Sequence, residues 1–201
     1  MNWNKDLPAS AVEAIRLEVH GEPVLWAARP DPGVAFRKAT VIWGFAIPWC
    51  AVTFTIFGIM TAVALFGKTP VSQVTAGQFV SLVAGLIFTG SFVLLGLVML
   101  AAPFWAQSCA RRTVYAMTAK KLLTIEMRAN GANKVTSFAP QSVVRLERSE
   151  RRDGSGTLKM VLGYTKDTDG DDVEKAEEWI GILDVRTAER LLESLRSARP
   201  V

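Results

Sequence analysis

The chain has 201 residues and a net charge of +4, and half of its residues are hydrophobic. So small a charge argues against a dedicated nucleic-acid binder, which would carry a dense basic patch. The charges are also unevenly placed, since residues 39–67 and 69–110 carry none and only Lys68 separates them. A soluble domain rarely contains such long uncharged stretches, because its helices and strands need a polar face.

The leader, residues 1–38, contains five basic and five acidic residues and no early apolar core, so we expect no cleavable signal peptide. A short helix is predicted at residues 9–19 and ends at Gly21. Its apolar side carries Val12, Ile15 and Val19. Residues 22–28 read as an extended segment, followed by a turn-rich stretch at 29–33. Because 38 residues are too few for a separate core, we expect the leader to lie against a membrane or against the C-terminal domain.

Two apolar stretches predict a transmembrane hairpin within residues 39–110. Its helices, at about 41–66 and 79–104, exceed the roughly 20 residues that cross the hydrocarbon layer. They contain twelve and fifteen Val, Ile, Leu or Phe residues, respectively. Each such residue contributes roughly −0.3 to −0.6 kcal/mol to insertion at mid-helix, so both stretches favour the membrane. The alternative is a pair of buried helices in a soluble core.

Small residues recur on both predicted membrane helices and allow close approach of their backbones. They are Gly58 and Ala62 on the first helix, and Ala84, Gly85, Thr89, Gly90, Ser91 and Gly96 on the second. We expect these residues to pack the two helices against each other, and the alternative is a homodimer interface. The indoles near the helix ends belong to Trp43, Trp49 and Trp105, and they suit the membrane–water interface.

Charged flanks predict the orientation of the hairpin. Arg37 and Lys38 precede the first helix, Arg111 and Arg112 follow the second, and the connecting loop carries only Lys68. The positive-inside rule then places both termini in the cytoplasm and the short loop outside.

After the second apolar stretch the hydrophobic pattern changes to a period of two, which predicts a β domain at residues 111–201. Six strands are expected, at Thr113–Thr118, Lys121–Met127, Lys134–Phe138, Val143–Ser149, Thr157–Thr165 and Glu177–Leu183. Two sets of residues are predicted to point inward: Leu158, Met160, Leu162 and Tyr164, and Leu123, Ile125 and Met127. Beyond the N-cap Asp184 an amphipathic helix is predicted. Its apolar face holds Ala188, Leu191, Leu192 and Leu195. This order of elements indicates a small open barrel with the helix at its apolar end.

Three sequence phrases occur in a characteristic order: Gly-Glu-Pro-Val-Leu-Trp at 21–26, Thr-Val-Tyr-Ala-Met-Thr-Ala-Lys-Lys-Leu-Leu at 113–123, and Asp-Gly-Ser-Gly-Thr-Leu at 153–158. In this order the chain resembles the bacterial pleckstrin-homology-like (PH-like) membrane proteins over nearly its whole length. The resemblance implies an α+β fold, with a transmembrane hairpin followed by a seven-strand PH-like barrel or sandwich capped by a C-terminal helix. It also implies residence in the bacterial cytoplasmic membrane. The role of this family is mostly undefined. The C-terminal helix here lacks the Trp common in eukaryotic members, so their phosphoinositide chemistry is not carried over.

Five basic residues are candidates for contact with lipid headgroups. They lie near the end of the predicted second membrane helix and in the first β-hairpin of the C-terminal domain. They are Arg111, Arg112, Lys120, Lys121 and Arg128. Each basic group close to an anionic surface contributes about 1 kcal/mol to membrane attraction. The alternative is a solvated hairpin with flanking charges that only set the topology.

Other polar runs give weaker indications. The acidic run at 167–172 is similar to a calcium loop, with Glu178 at the twelfth position, but its sixth position is Asp172, where the tight turn needs glycine. We therefore predict a solvated hairpin tip there. Mixed charges at 145–153 predict an exposed strand end, with a partner-binding patch as the alternative. We find no catalytic motif or zinc-binding pair, and we expect no catalytic residue, metal or cofactor.

The sequence hypothesis is therefore a non-enzymatic, membrane-anchored module. It would bind a protein or peptide partner at the cytoplasmic membrane face, with headgroup contacts fixing its orientation on the lipid bilayer. Nucleic acid is not an expected partner. The alternatives are an anionic-lipid-sensing module and an accessory subunit of a membrane enzyme or transporter.

Overall fold

The computed structural model describes residues 7–66, 75–128, 131–166, 168 and 170–197. The chain divides into two units. The sandwich unit comprises residues 1–35 and 106–201, and the hairpin unit comprises residues 36–105.

The elements confirm an α+β chain in which two long apolar helices are followed by antiparallel sheets and a C-terminal helix. The helices are α1 (Ala9–Val19), α2 (Pro32–Ala39), α3 (Trp43–Phe66), α4 (Ala76–Ala110) and α5 (Val185–Ser197), with 3₁₀ turns at Thr40–Ile42 and Pro140–Ser142. The strands are β1 (Val24–Ala28), β2 (Thr113–Thr118), β3 (Leu122–Met127), β4 (Asn133–Phe138), β5 (Arg145–Glu150), β6 (Gly156–Lys166) and β7 (Asp172–Ile182).

The seven strands form two sheets, with the orders β1-β2-β3-β4 and β5-β6-β7. The barrel implied by the resemblance is not closed, because β4 and β5 lie in different sheets. The 3₁₀ turn that begins at Pro140 connects them. Proline fixes its own φ and lacks a backbone donor, so the strand direction is interrupted at this point.

The hairpin unit is inserted between two paired strands of the sandwich unit. Strand β1 pairs antiparallel with β2, with Val24 opposite Thr118 and Ala28 opposite Tyr115. The leader thus supplies the edge strand of the four-stranded sheet, in agreement with the expectation that it lies against the C-terminal domain. The chain therefore leaves this sheet after β1 and returns at the start of β2 at the same end, which we call the linker end.

Three stacked aromatic rings join the two sheets. The ring of Trp179 on β7 lies between Trp26 of β1 and Tyr115 of β2, at centroid distances of 5.8 and 5.0 Å. Trp179 is fully buried, and its indole N–H donates to the Thr124 hydroxyl at 2.9 Å. That hydroxyl donates in turn to the Glu177 carboxylate at 2.9 Å. Burial of this large apolar area is therefore achieved without leaving the indole donor unsatisfied.

Helix α5 covers one side of this core, as predicted. Its buried residues are Val185, Ala188, Leu192 and Leu195. The Thr187 N–H donates to the Asp184 carboxylate at 3.1 Å, which satisfies one of the unpaired amides at the helix N-terminus.

Helix α1 covers the opposite face of the four-stranded sheet. Ile15 and Val19 form a second apolar cluster with Leu123 and Ile125 of β3, whereas Leu122 belongs to the core between the sheets. Strand β3 is therefore buried on both faces. The predicted inward set of Leu123 and Ile125 is buried, but it faces α1 rather than the other sheet.

A bulge in β6 makes one sequence prediction wrong. The pairing register with β7 shifts between Val161 and Gly163. Val161, expected on the outer face, is fully buried, and Tyr164, expected inside, is 59% exposed. A β-bulge inserts one extra residue and so reverses the faces beyond it.

Several boundaries also differ from the predictions by one or two residues, as for β5, which begins at Arg145 rather than at Val143, and two differ in other ways. Strand β7 begins at Asp172 rather than at residue 177. The predicted turn at 29–33 ends early, because Pro32 begins α2 and the Gly33 N–H donates to the Asp31 carboxylate at 2.8 Å. Proline suits the first turn of a helix, where its missing N–H is not needed.

The hairpin unit contains α3 and most of α4, both long and apolar enough to cross a membrane. Only 6% of the residues in the most apolar window of each helix are buried, unlike the core helix of a soluble protein. Helix α4 extends beyond the predicted 79–104 in both directions.

Glycines of α4 pack against side chains of α3, as the intramolecular interpretation predicts. A Cβ atom added at Gly85 would lie 2.5 Å from Met60 Cε, and one added at Gly96 would lie 2.6 Å from Cys50 Sγ. By contrast, nothing lies within 4 Å of a Cβ added at Gly58.

Two indoles also connect the helices of the hairpin unit. Trp43 donates to the Leu100 carbonyl at 3.1 Å, and Trp49 donates to the Phe92 carbonyl at 3.2 Å. These two side chains therefore hold the hairpin together through interhelical hydrogen bonds.

Tyr115 gives the sandwich unit a pH dependence that can be measured. Burial raises the pKa of its hydroxyl from 10.0 to about 12, although the hydrogen bond from the Ile180 N–H opposes the shift. The stability that comes from neutral Tyr115 is complete below pH 10 and is lost as the pH rises towards 12, by about 2–3 kcal/mol. Denaturant midpoints measured between pH 9.5 and 12 should fall more steeply for the native chain than for Tyr115→Phe. Equal slopes would contradict this assignment.

The glycine contacts of the hairpin unit predict a position-specific effect. Gly96→Val should destabilise the hairpin by about 1–3 kcal/mol, because its side chain would displace Cys50 and Trp49. The matched substitution Gly58→Val meets open space and should change little. Thermal denaturation of the detergent-solubilised chain, followed by circular dichroism, measures both, and equal losses would exclude this packing.

Candidate functional site

The five basic residues predicted to contact lipid are all exposed, but they occupy two places. Antiparallel pairing sets Thr113 of β2 opposite Glu126 of β3. Arg111, Arg112 and Arg128 therefore lie at the linker end. Lys120 and Lys121 lie in the turn between β2 and β3, at the opposite end of these two strands. At about 3.3 Å per residue, a six-residue strand separates the two groups by roughly 20 Å.

The lysine turn has a local structural explanation. The Thr118 hydroxyl oxygen accepts the N–H groups of Lys120 and Lys121 at 3.2 and 2.9 Å. The Lys120 ammonium lies 3.6 Å from the Glu22 carboxylate, which partly neutralises it. Among the described residues no carboxylate lies within ion-pairing distance of Lys121, so this turn keeps one uncompensated positive charge.

The linker end differs in its electrostatics. In the part of the chain that the structure describes, no carboxylate lies within ion-pairing distance of Arg111, Arg112 or Arg128. The acidic group on the adjacent strand, Glu126, pairs instead with Lys134 at 3.4 Å. Three positive charges thus remain uncompensated here.

On the outer face of the three-stranded sheet, four charged side chains form a closed ring of ion pairs. Arg145 lies 2.7 Å from Glu147 and 2.9 Å from Glu174, and Lys159 lies 2.6 Å from Glu174 and 3.7 Å from Glu147. The hydrogen bond between Lys159 and Glu174 raises the pKa of the lysine and lowers the pKa of the carboxyl group. Two positive and two negative charges cancel, so this ring gives the face little net field.

The free edge of β5 lies beside α5. Strand β5 is at the end of its sheet, with β6 as its neighbour. Glu150 at its end lies 2.7 Å from Arg186 in the first turn of α5, and Arg148 pairs with Glu189. At the start of β5, Arg196 from the last turn donates to the Val144 carbonyl at 3.2 Å. Strand and helix therefore run alongside each other in opposite directions.

A polar groove opens where β5 begins. It has a volume of about 510 Å³ and is lined by Gln141, Val143, Glu193, Arg196 and Ser197. The neighbouring Val144 side chain is 64% exposed. Sequence analysis missed this groove because no local pattern shows that Glu193 and Arg196 of α5 lie beside Gln141 and Val143. The charges on β5 gave no indication of their partners on α5.

Metal ligation has no support among the described residues, where no group of three or more His, Cys, Asp or Glu side chains could hold an ion. Within the acidic run at 167–172, residues 167 and 169 lie outside the described part of the chain. Both cysteines are free thiols, Cys50 buried and Cys109 exposed.

Comparisons with known proteins add no relative. No family model, curated protein or solved structure matches this chain. The resemblance to PH-like membrane proteins consequently rests on the sequence phrases and on the order of the elements.

Proposed function

We propose that this chain is a membrane-anchored, PH-like interaction module without enzymatic activity. It binds an extended segment of a protein partner along the free edge of β5, beside α5. A four-stranded and a three-stranded antiparallel sheet followed by a C-terminal helix support the PH-like assignment.

Anchoring in the cytoplasmic membrane is supported by α3 and α4. Few of their residues are buried within the chain, and lipid is the solvent that suits such an apolar surface. Both termini are cytoplasmic in this proposal, as the basic flanks of the hairpin favour.

The edge of β5 is the observation that carries the proposal. An edge strand presents unpaired N–H and C=O groups, and an extended peptide can add to it as a further strand. Alongside, α5 supplies a groove that can receive side chains of such a peptide. The space between the sheets is filled by Trp26, Trp179 and Tyr115, which favours recognition at the surface over binding of a small molecule inside.

Site-specific photocrosslinking tests this edge in membranes that contain the full chain. A photoreactive residue at Val144 should give a discrete adduct, and one at Leu17, equally exposed on α1, should not. Ser197→Trp fills the groove and should lower the adduct yield several-fold, because the peptide and the indole compete for the same space.

Ser194→Trp is the matched control on the same helix, since Ser194 is exposed but does not line the groove. It should leave the yield unchanged. Equal adducts from both probe positions, or equal loss from both serine substitutions, would rule out the β5 edge as the docking site.

A further inference from the structure

Covalent geometry places two of the linker-end arginines close to a bilayer that contains α4. The last bulky apolar side chain of the helix is Trp105, which is 74% exposed. Arg111 follows it by six positions, about 9 Å along the helix axis at 1.5 Å per residue. The headgroup region of one leaflet is roughly 5–8 Å thick, and an arginine side chain can extend several ångströms back towards it. Arg111 and Arg112 therefore come within reach of headgroup phosphates.

The β-ladder adds a third arginine to the same place. The Met127 N–H donates to the Arg112 carbonyl at 2.8 Å, so Arg128 lies next to Arg112 although it is sixteen positions away in the chain. Arg128 is not close to α4 in the sequence, but the pairing of β2 with β3 places it beside Arg112.

The lack of a carboxylate partner distinguishes these residues from five other bases of the sandwich unit. Lys120, Lys134, Arg145, Arg148 and Lys159 each lie within 4 Å of a carboxylate. The linker-end arginines have no such partner among the described residues. A guanidinium group without a carboxylate is free to form paired hydrogen bonds with a phosphate.

We propose that Arg111, Arg112 and Arg128 bind the phosphates of anionic phospholipid headgroups and so fix the orientation of the sandwich unit on the membrane. Lys120 and Lys121, in the turn between β2 and β3, do not contribute to this phosphate binding. This inference rests on the membrane anchoring in the proposed function, but not on the peptide site at β5.

The test uses the full chain in neutral detergent micelles, titrated with short-chain phosphatidylglycerol that carries a fluorescent label. Working in micelles removes any effect of the substitutions on membrane insertion. Replacing all three arginines by glutamine should weaken binding by about fivefold per residue, the factor expected for one cation near an anionic headgroup. The matched pair Lys120→Gln and Lys121→Gln should change binding by less than about twofold.

A further variant separates loss of charge from loss of fold, and two competitors identify the source of the bound phosphate. Replacing the three arginines by lysine keeps the charge but not the paired hydrogen bonds, so binding should lie between that of the native chain and that of the glutamine variant, which a folding defect would not allow. Phosphatidylcholine and inorganic phosphate should not compete. Unchanged binding in the glutamine variant, a larger loss from the lysine pair, or competition by inorganic phosphate would each overturn the proposal. Crosslinking from Val144, measured on the same variants, reports separately on the peptide site.

Discussion

The indole of Trp179 is the contact through which the two sheets become one core. It comes from β7 and is enclosed by rings from β1 and β2, so it stacks only when both of these strands are in register. Its N–H requires Thr124 of β3 at the same time. Three strands of one sheet thus converge on a single side chain of the other. The position of α5, and with it the groove beside β5, depends on this arrangement because α5 packs into the same cluster.

Elements with a strong internal period could be predicted from the sequence. Helix α1 is found at exactly the predicted residues, β2 likewise, and Asp184 caps α5 as expected. The two apolar helices could be predicted from composition, since each uncharged stretch exceeds the length that a membrane-spanning helix needs. Local pattern was sufficient because each of these elements is decided by its own residues.

Features that depend on contacts between distant residues could not be predicted in this way. The bulge at Val161–Gly163 has no signature that distinguishes it from a regular strand, so Tyr164 was assigned to the wrong face. Leu123 is buried by α1, which is about a hundred residues away in the chain, whereas its neighbour Leu122 is buried between the sheets. The separation of the five basic residues into two groups could have been predicted. A β-hairpin with its turn at 119–121 places Arg111 and Arg128 at the same end of the two strands.

The insertion of the hairpin unit between β1 and β2 also constrains the order of biosynthesis. Val24 pairs with Thr118, and every residue of the two apolar helices is synthesised between them. Strand β1 therefore emerges from the ribosome long before its partner exists and has to remain unpaired while the two apolar helices are synthesised. The sandwich closes only after both apolar helices have been synthesised, so completion of its fold reports that the whole hairpin unit has been made.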